Sequence, residues 1–96
     1  MNFAIDIDIE KKVNMKVFII GIGLIGGSIA LDIKLIYDEA TIFGIDANEK
    51  HLDEAIQLGL IDEKASENNL ISADLVIVSV PVDVALVILP NILDKI

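Results

Sequence analysis

The stretch from Met15 to Ser28, Met-Lys-Val-Phe-Ile-Ile-Gly-Ile-Gly-Leu-Ile-Gly-Gly-Ser, leaves this chain few ways to fold. The apolar run Val17 to Ile20, mostly β-branched, reads as a strand. It leads straight into Gly21-Ile22-Gly23-Leu24-Ile25-Gly26, after which apolar residues recur at helical spacing. A strand, a tight turn and a helix start therefore follow one another without a spacer. Gly21 suits the turn, Gly23 lets a pyrophosphate approach the backbone, and Gly26 lets the helix lie close on the strand. The N–H groups of the first helical turn, which includes Leu24 and Ile25, then face the phosphates with the positive end of the helix dipole behind them.

Downstream, the pattern stays in phase. Ile25, Ile29, Ile33 and Ile36 are spaced as one helical stripe facing a sheet, and the helix is expected to end near Tyr37. Thr41 to Ile45 reads as a second strand that closes on Asp46. Asn48 then caps a second helix with Leu52, Ala55 and Ile56 buried and Gly59 as its stop. A short third strand is expected near Lys64 to Ser66, and a brief helix over Asn68 to Ser72. Leu75 to Val80 is the strongest strand, apolar throughout as in a parallel strand covered on both faces, and Pro81 ends it. The last helix is expected over Val84 to Leu89, extending to Ile96 with an interruption at Pro90 and Asn91. This alternation predicts an α/β fold, a Rossmann-like parallel sheet in the order 3-2-1-4 with helices on both faces, truncated before its second half is complete.

Residues 1–14 stand apart as an N-terminal extension, leaving 15–96 as a partial dinucleotide-binding domain. Phe3, Ile5, Ile7 and Ile9 alternate with Asp6, Asp8 and Glu10, a pattern that fits either a loose extension or an added edge strand with an acidic face.

Charge narrows the partners. Sixteen acidic against seven basic residues give a net charge of −9, which argues against nucleic acid and anionic membrane surfaces. Every basic residue is a lysine, so no bidentate arginine clamp on a carboxylate or phosphate is available in these residues. The absence of cysteine removes thiol catalysis and disulfides and fits a cytoplasmic protein. The uncharged run from Val17 ends at Asp32, short of the roughly 20 residues that span a bilayer.

Asp46 lies twenty residues beyond Gly26, at the spacing of the acid that binds the adenosine ribose. A carboxylate there accepts from the ribose hydroxyls and repels a 2′-phosphate, so the expected cofactor is NAD, with NADP less favoured. Its competing role is that of a helix cap. Val80, Pro81 and Val82 follow the last strand at the carboxyl edge of the sheet and are expected to contact the cofactor; the alternative is a proline-terminated strand without ligand contact. His51 reads as part of a solvated helix face with Lys50, Asp53 and Glu54, and no catalytic or metal-ligating residue is assigned.

Several segments together carry a family resemblance. Gly23-Leu24-Ile25-Gly26-Gly27-Ser28, Gly44-Ile45-Asp46, Ala55 through Gly59 to Ile61-Asp62, and Ala73-Asp74-Leu75-Val76-Ile77-Val78-Ser79-Val80-Pro81-Val82 resemble the prephenate dehydrogenase family. The resemblance covers residues 15 to about 96. It implies an NAD-dependent oxidoreductase of tyrosine biosynthesis that oxidatively decarboxylates prephenate to 4-hydroxyphenylpyruvate. It also implies a catalytic histidine, a serine and a substrate-binding arginine beyond the next strand, with a C-terminal helical domain and a homodimer completing the parent enzyme. The chain is then expected to bind cofactor without turning over prephenate alone. An arogenate dehydrogenase, another small-substrate NAD(P) dehydrogenase and a non-catalytic nucleotide-binding module are the alternatives.

Overall fold

The computed structural model describes residues 15–96, so the expected extension 1–14 lies outside the described residues. The elements follow in the order β1 (Lys16–Ile20), α1 (Leu24–Ile36), β2 (Thr41–Ile45), α2 (Glu49–Gln57), β3 (Glu63–Lys64), a 3-10 helix (Glu67–Ser72), β4 (Leu75–Val78) and α3 (Val82–Lys95). All strand pairs are parallel and the order is β3-β2-β1-β4, as expected. Phe18 stands opposite both Phe43 and Val76, which puts β1 at the centre.

Alternation along β1 sorts the core into two layers. Val17 and Ile19 meet Ile29, Ala30 and Ile33 of α1 and Leu52 and Ala55 of α2 on one face. Phe18 and Ile20 meet Leu70 of the 3-10 helix and Ile92 of α3 on the other. There Phe18 stacks on Phe43 with ring centroids 4.6 Å apart, a contact that contributes about 1 kcal/mol beyond burial. The helices thus cover both faces.

Carboxylates secure the amino ends of the strands. Asp74 accepts from the N–H of Lys16 at the start of β1, and Asp62 accepts from the N–H of Ile42 in β2, each at 2.8 Å. Asp62 also pairs with Lys34 of α1.

Several boundaries differ from expectation for local reasons. Ile36 is exposed because Tyr37, a full helical step past Ile33, takes its place against the core. Ile56 is likewise exposed, and only Leu52 and Ala55 of its stripe are buried. The side chain of Ile25 lies outside the described residues. Strand β3 is Glu63–Lys64 because Ser66 is already committed to capping the 3-10 helix, in a reciprocal box with Asn69. Strand β4 stops at Val78, and its side chains are half-buried rather than fully covered, as suits an outer strand of the described sheet. Helix α3 begins at Val82 and runs unbroken through Pro90. Proline forfeits one backbone hydrogen bond and crowds the preceding turn. Pro90 and Leu86, whose carbonyl it leaves without a helical partner, are both exposed, so the lost bond falls on the outer side of the helix.

The turn after β1 is the tightest point. A Cβ on Gly26 would lie 2.2 Å from the carbonyl oxygen of Gly21, backbone against backbone. Gly59, by contrast, has φ 74° but nothing within 4 Å of its missing Cβ. Gly26→Ala is therefore expected to cost roughly 3 kcal/mol and Gly59→Ala only about 1 kcal/mol. Urea unfolding followed by circular dichroism measures both, and equal costs would contradict the close packing of α1 on the turn.

Candidate functional site

The carboxyl ends of β1, β2 and β4 converge on the glycine turn. Gly21 has φ 91° and donates its N–H to the carbonyl of Ile45 at 2.7 Å, while Ser79 donates to the carbonyl of Ile20 at 2.7 Å. A Cβ on Gly21 would lie 2.4 Å from the Ser79 carbonyl oxygen and 2.6 Å from Cγ1 of Val80. The turn is therefore wedged between the ends of β2 and β4.

Gly23 is different. Its φ of −87° is open to any residue, and a Cβ placed there would meet no protein atom within 4 Å. The packing of the chain gives no reason for glycine at this position. The space left open lies at the N-cap of α1, which has no side-chain cap and no acid in its first turn. Backbone N–H groups without helical partners and an uncompensated dipole favour an anion there. Leu24 and Ile25 supply the backbone of that first turn; their side chains lie outside the described residues.

Asp46 sits at the end of β2 with its side chain 14% exposed. Its Oδ2 accepts from the N–H of Ile22 at 2.8 Å and its Oδ1 from the N–H of Asn48 at 2.8 Å. Burial pushes its pKa up, but the N–H groups of Asn48 and Ile22, together with His51, outweigh burial and hold it below its ordinary value. Asp46 is therefore a carboxylate that ties the glycine turn to β2. The cap of α2 is Asn48, whose Oδ1 accepts from the N–H of Lys50 at 3.0 Å.

Between these groups lies a cleft of about 670 Å³. Gly21 and Gly23 form its floor, Ile45, Asp46 and Ala47 one wall, and Ser79, Val80, Pro81 and Val84 the other. The structure thus brings Gly21, Gly23, Asp46, Val80 and Pro81 together. Gly26 lies behind the cleft, where it sets the approach of α1. Val82 is the exception: it is 76% exposed and does not line the cleft, because α3 begins at Val82 and presents Val84 instead.

His51 was the residue least expected here. Its Nδ1 stands 3.5 Å from Oδ2 of Asp46 and its Nε2 3.4 Å from Nδ2 of Asn48, and it lines the cleft. The signal was in the spacing: a residue three past a helix cap lies one turn up on the cap's own side. Glu49, Ser66 and Glu67 also line the cleft without any mark in local sequence. A second cavity of about 400 Å³ lies between α1 and α2 and shares Gly23 and His51. Among the described residues, no three His, Cys, Asp or Glu side chains are grouped to hold a metal, and no helix is long and apolar enough to cross a membrane.

The family model described as prephenate dehydrogenase, nucleotide-binding domain, matches residues 29–96, well over half of the chain. The chain belongs to the prephenate dehydrogenase family. The match begins after the glycine turn, so membership does not depend on that turn. The prephenate dehydrogenase of Bacillus subtilis is 38% identical over 78 residues, covering 79% of this chain and 21% of the relative. That of Lactococcus lactis subsp. cremoris is 42% identical over 78 residues, covering 80% of this chain and 22% of the relative. The chain spans about a fifth of the length of these curated relatives.

Among solved structures, prephenate dehydrogenase from A. aeolicus in complex with hydroxyphenyl propionate and NAD+ superposes with a TM-score of 0.70 and 32% identity. The superposition covers 84% of this chain and 28% of that one. Synechocystis arogenate dehydrogenase gives a TM-score of 0.75 at 24% identity over 84% of this chain and 29% of that one, a likeness of fold.

Two outcomes follow for this nucleotide-binding domain of the family. Gly23→Ala is expected to lower the stability measured in urea by no more than about 1 kcal/mol, the cost of alanine at an N-cap, while weakening nucleotide binding by about tenfold or more; unchanged binding by calorimetry would refute the role of the open space. The lowered pKa of Asp46 gives stability that is fully present above its ordinary value of 3.8 and is lost as pH falls through the folded value. Asp46→Asn should cost about 1–2 kcal/mol at neutral pH, and the gap from the parent chain should close progressively below pH 3.8. A gap that stays constant in acid urea titrations would show that the charge of Asp46 does not stabilise the fold.

Proposed function

We propose that this chain is the NAD-binding portion of a dehydrogenase that oxidatively decarboxylates prephenate to 4-hydroxyphenylpyruvate in the cytoplasmic synthesis of tyrosine. The single observation that carries the reading is the pairing of an open Gly23 at the N-cap of α1 with an ionised Asp46 across the same cleft. One holds space for a pyrophosphate against backbone donors, and the other is an acceptor at the ribose position.

NAD supplies the hydride acceptor when bound. The residues of this chain hold and orient it. Oδ2 of Asp46 faces both the N–H of Ile22 and Nδ1 of His51, whereas Oδ1 is engaged by the N–H of Asn48 alone, which leaves a lone pair on Oδ1 for an adenosine ribose hydroxyl. Because the carboxylate is fixed on two sides, it accepts without reorganising. Its charge, with Glu49 and Glu67 on the same cleft, opposes a 2′-phosphate. Val80 and Pro81 line the opposite wall and offer it an apolar surface. Gly21 and Gly26 act indirectly, by holding the turn and α1 in register.

The groups that convert the substrate are assigned to the part of the relatives that this chain does not span, together with the helical domain and the homodimer of the parent enzyme. Prephenate is preferred over arogenate because the curated relatives at 38% and 42% identity are prephenate dehydrogenases. The arogenate reading draws on the fold likeness to the Synechocystis enzyme alone.

Calorimetric titration of NAD and NADP into the chain tests the proposal. NAD is expected to bind at least about tenfold more tightly, and Asp46→Asn is expected to bring the two within about threefold. Equal affinities in the parent chain would remove the role given to Asp46. Binding of neither nucleotide by a chain shown to be folded by circular dichroism would sink the site.

A further inference from the structure

We infer that His51 sets how strictly this cleft separates NAD from NADP, and that its protonation admits a 2′-phosphate. The inference rests on the NAD site proposed above. It starts from the partners of the two ring nitrogens: Nδ1 is 3.5 Å from Oδ2 of Asp46, and Nε2 is 3.4 Å from Nδ2 of Asn48. The neutral ring with its proton on Nδ1 satisfies both, donating to the carboxylate and accepting from the amide.

Asn48 cannot turn its amide over to suit a second ring proton. Its Oδ1 is held by the N–H of Lys50 at 3.0 Å, the cap of α2. A proton on Nε2 therefore sets donor against donor, and the new N–H is left for an anion. The ring lines the cleft and its side chain is 47% exposed, so an anion entering beside Asp46 reaches it.

The surrounding charges make this proton count. Asp46 faces the ring from β2, and Glu49 and Glu67 line the same cleft from α2 and the 3-10 helix, Glu49 in a salt bridge with Lys64. Glu54 of α2 shares the second cavity with the ring, and α1 brings only Gly27, Ser28 and Leu31 to it. Among the residues lining the cleft, His51 is the one basic side chain. With a neutral ring, the charged side chains lining the cleft are carboxylates alone. Once charged, the imidazolium offsets Asp46 and donates to the phosphate. Histidine is the side chain that makes this change between pH 8 and 5.

The test is calorimetric titration of NAD and NADP into the chain at about pH 8 and about pH 5.5 in low salt, using the parent, His51→Gln and His51→Lys. The 2′-phosphate itself takes up a proton in this range, so His51→Gln is the reference. From the higher to the lower pH, the parent is expected to shift its NADP-to-NAD affinity ratio toward NADP by about threefold more than His51→Gln does. His51→Lys is expected to favour NADP at both values. Equal pH shifts in the parent and His51→Gln, with NAD still bound, would overturn the inference and leave the NAD site standing. Failure of the folded parent to bind NAD at either pH would overturn the site and the inference with it.

Discussion

Backbone meets backbone where α1 crosses the turn that follows β1, and the rest of the molecule depends on that approach. The carbonyl of Gly21 occupies the place where any other residue at position 26 would carry its Cβ. Because nothing stands between them, the first turn of α1 lies directly above the ends of β1, β2 and β4. One atom more would push the helix outward and separate its N-terminus from the Asp46 carboxylate. The core layer of Ile29, Ala30 and Ile33 against Val17 and Ile19 follows from the same placement, since α1 can bury that stripe only if its start is pinned.

Much of this was legible in the sequence, because it is local. Asn48 was readable as a cap from its place before a helical pattern, and Asp46 from its distance past Gly26. The parallel order β3-β2-β1-β4 followed from strand and helix alternation and from the way such units wind. What escaped reading depends on partners far along the chain. Ile36 fits the stripe by spacing, yet Tyr37 fills the site. Pro90 predicts a break, yet its helix continues because the missing bond falls on an exposed side. Val82 seemed part of the loop, and only the position at which α3 begins turns it outward. His51 looked solvated beside Lys50 and Asp53; the end of β2 brings Asp46 to it.

Three aspartates show how one residue type serves different ends according to place. Asp62 and Asp74 accept strand N–H groups at the amino edge of the sheet, Asp62 also pairing with Lys34, and both act on architecture. Asp46 accepts backbone N–H groups too, but at the carboxyl edge, where the sheet leaves a cleft. The same hydrogen-bonding habit is structural at one edge and lines an open cleft at the other.

That double duty limits how this chain can evolve. The oxygen atoms proposed above to discriminate at the ribose also hold the N–H groups of Ile22 and Asn48, and so the shape of the glycine turn. On that proposal, cofactor preference cannot be rewritten at position 46 without loosening the turn and losing stability, so specificity and foldability are inherited together there. Positions that line the cleft without tying the backbone are free of that linkage, and they are where a lineage can change its taste in nucleotides while keeping its fold.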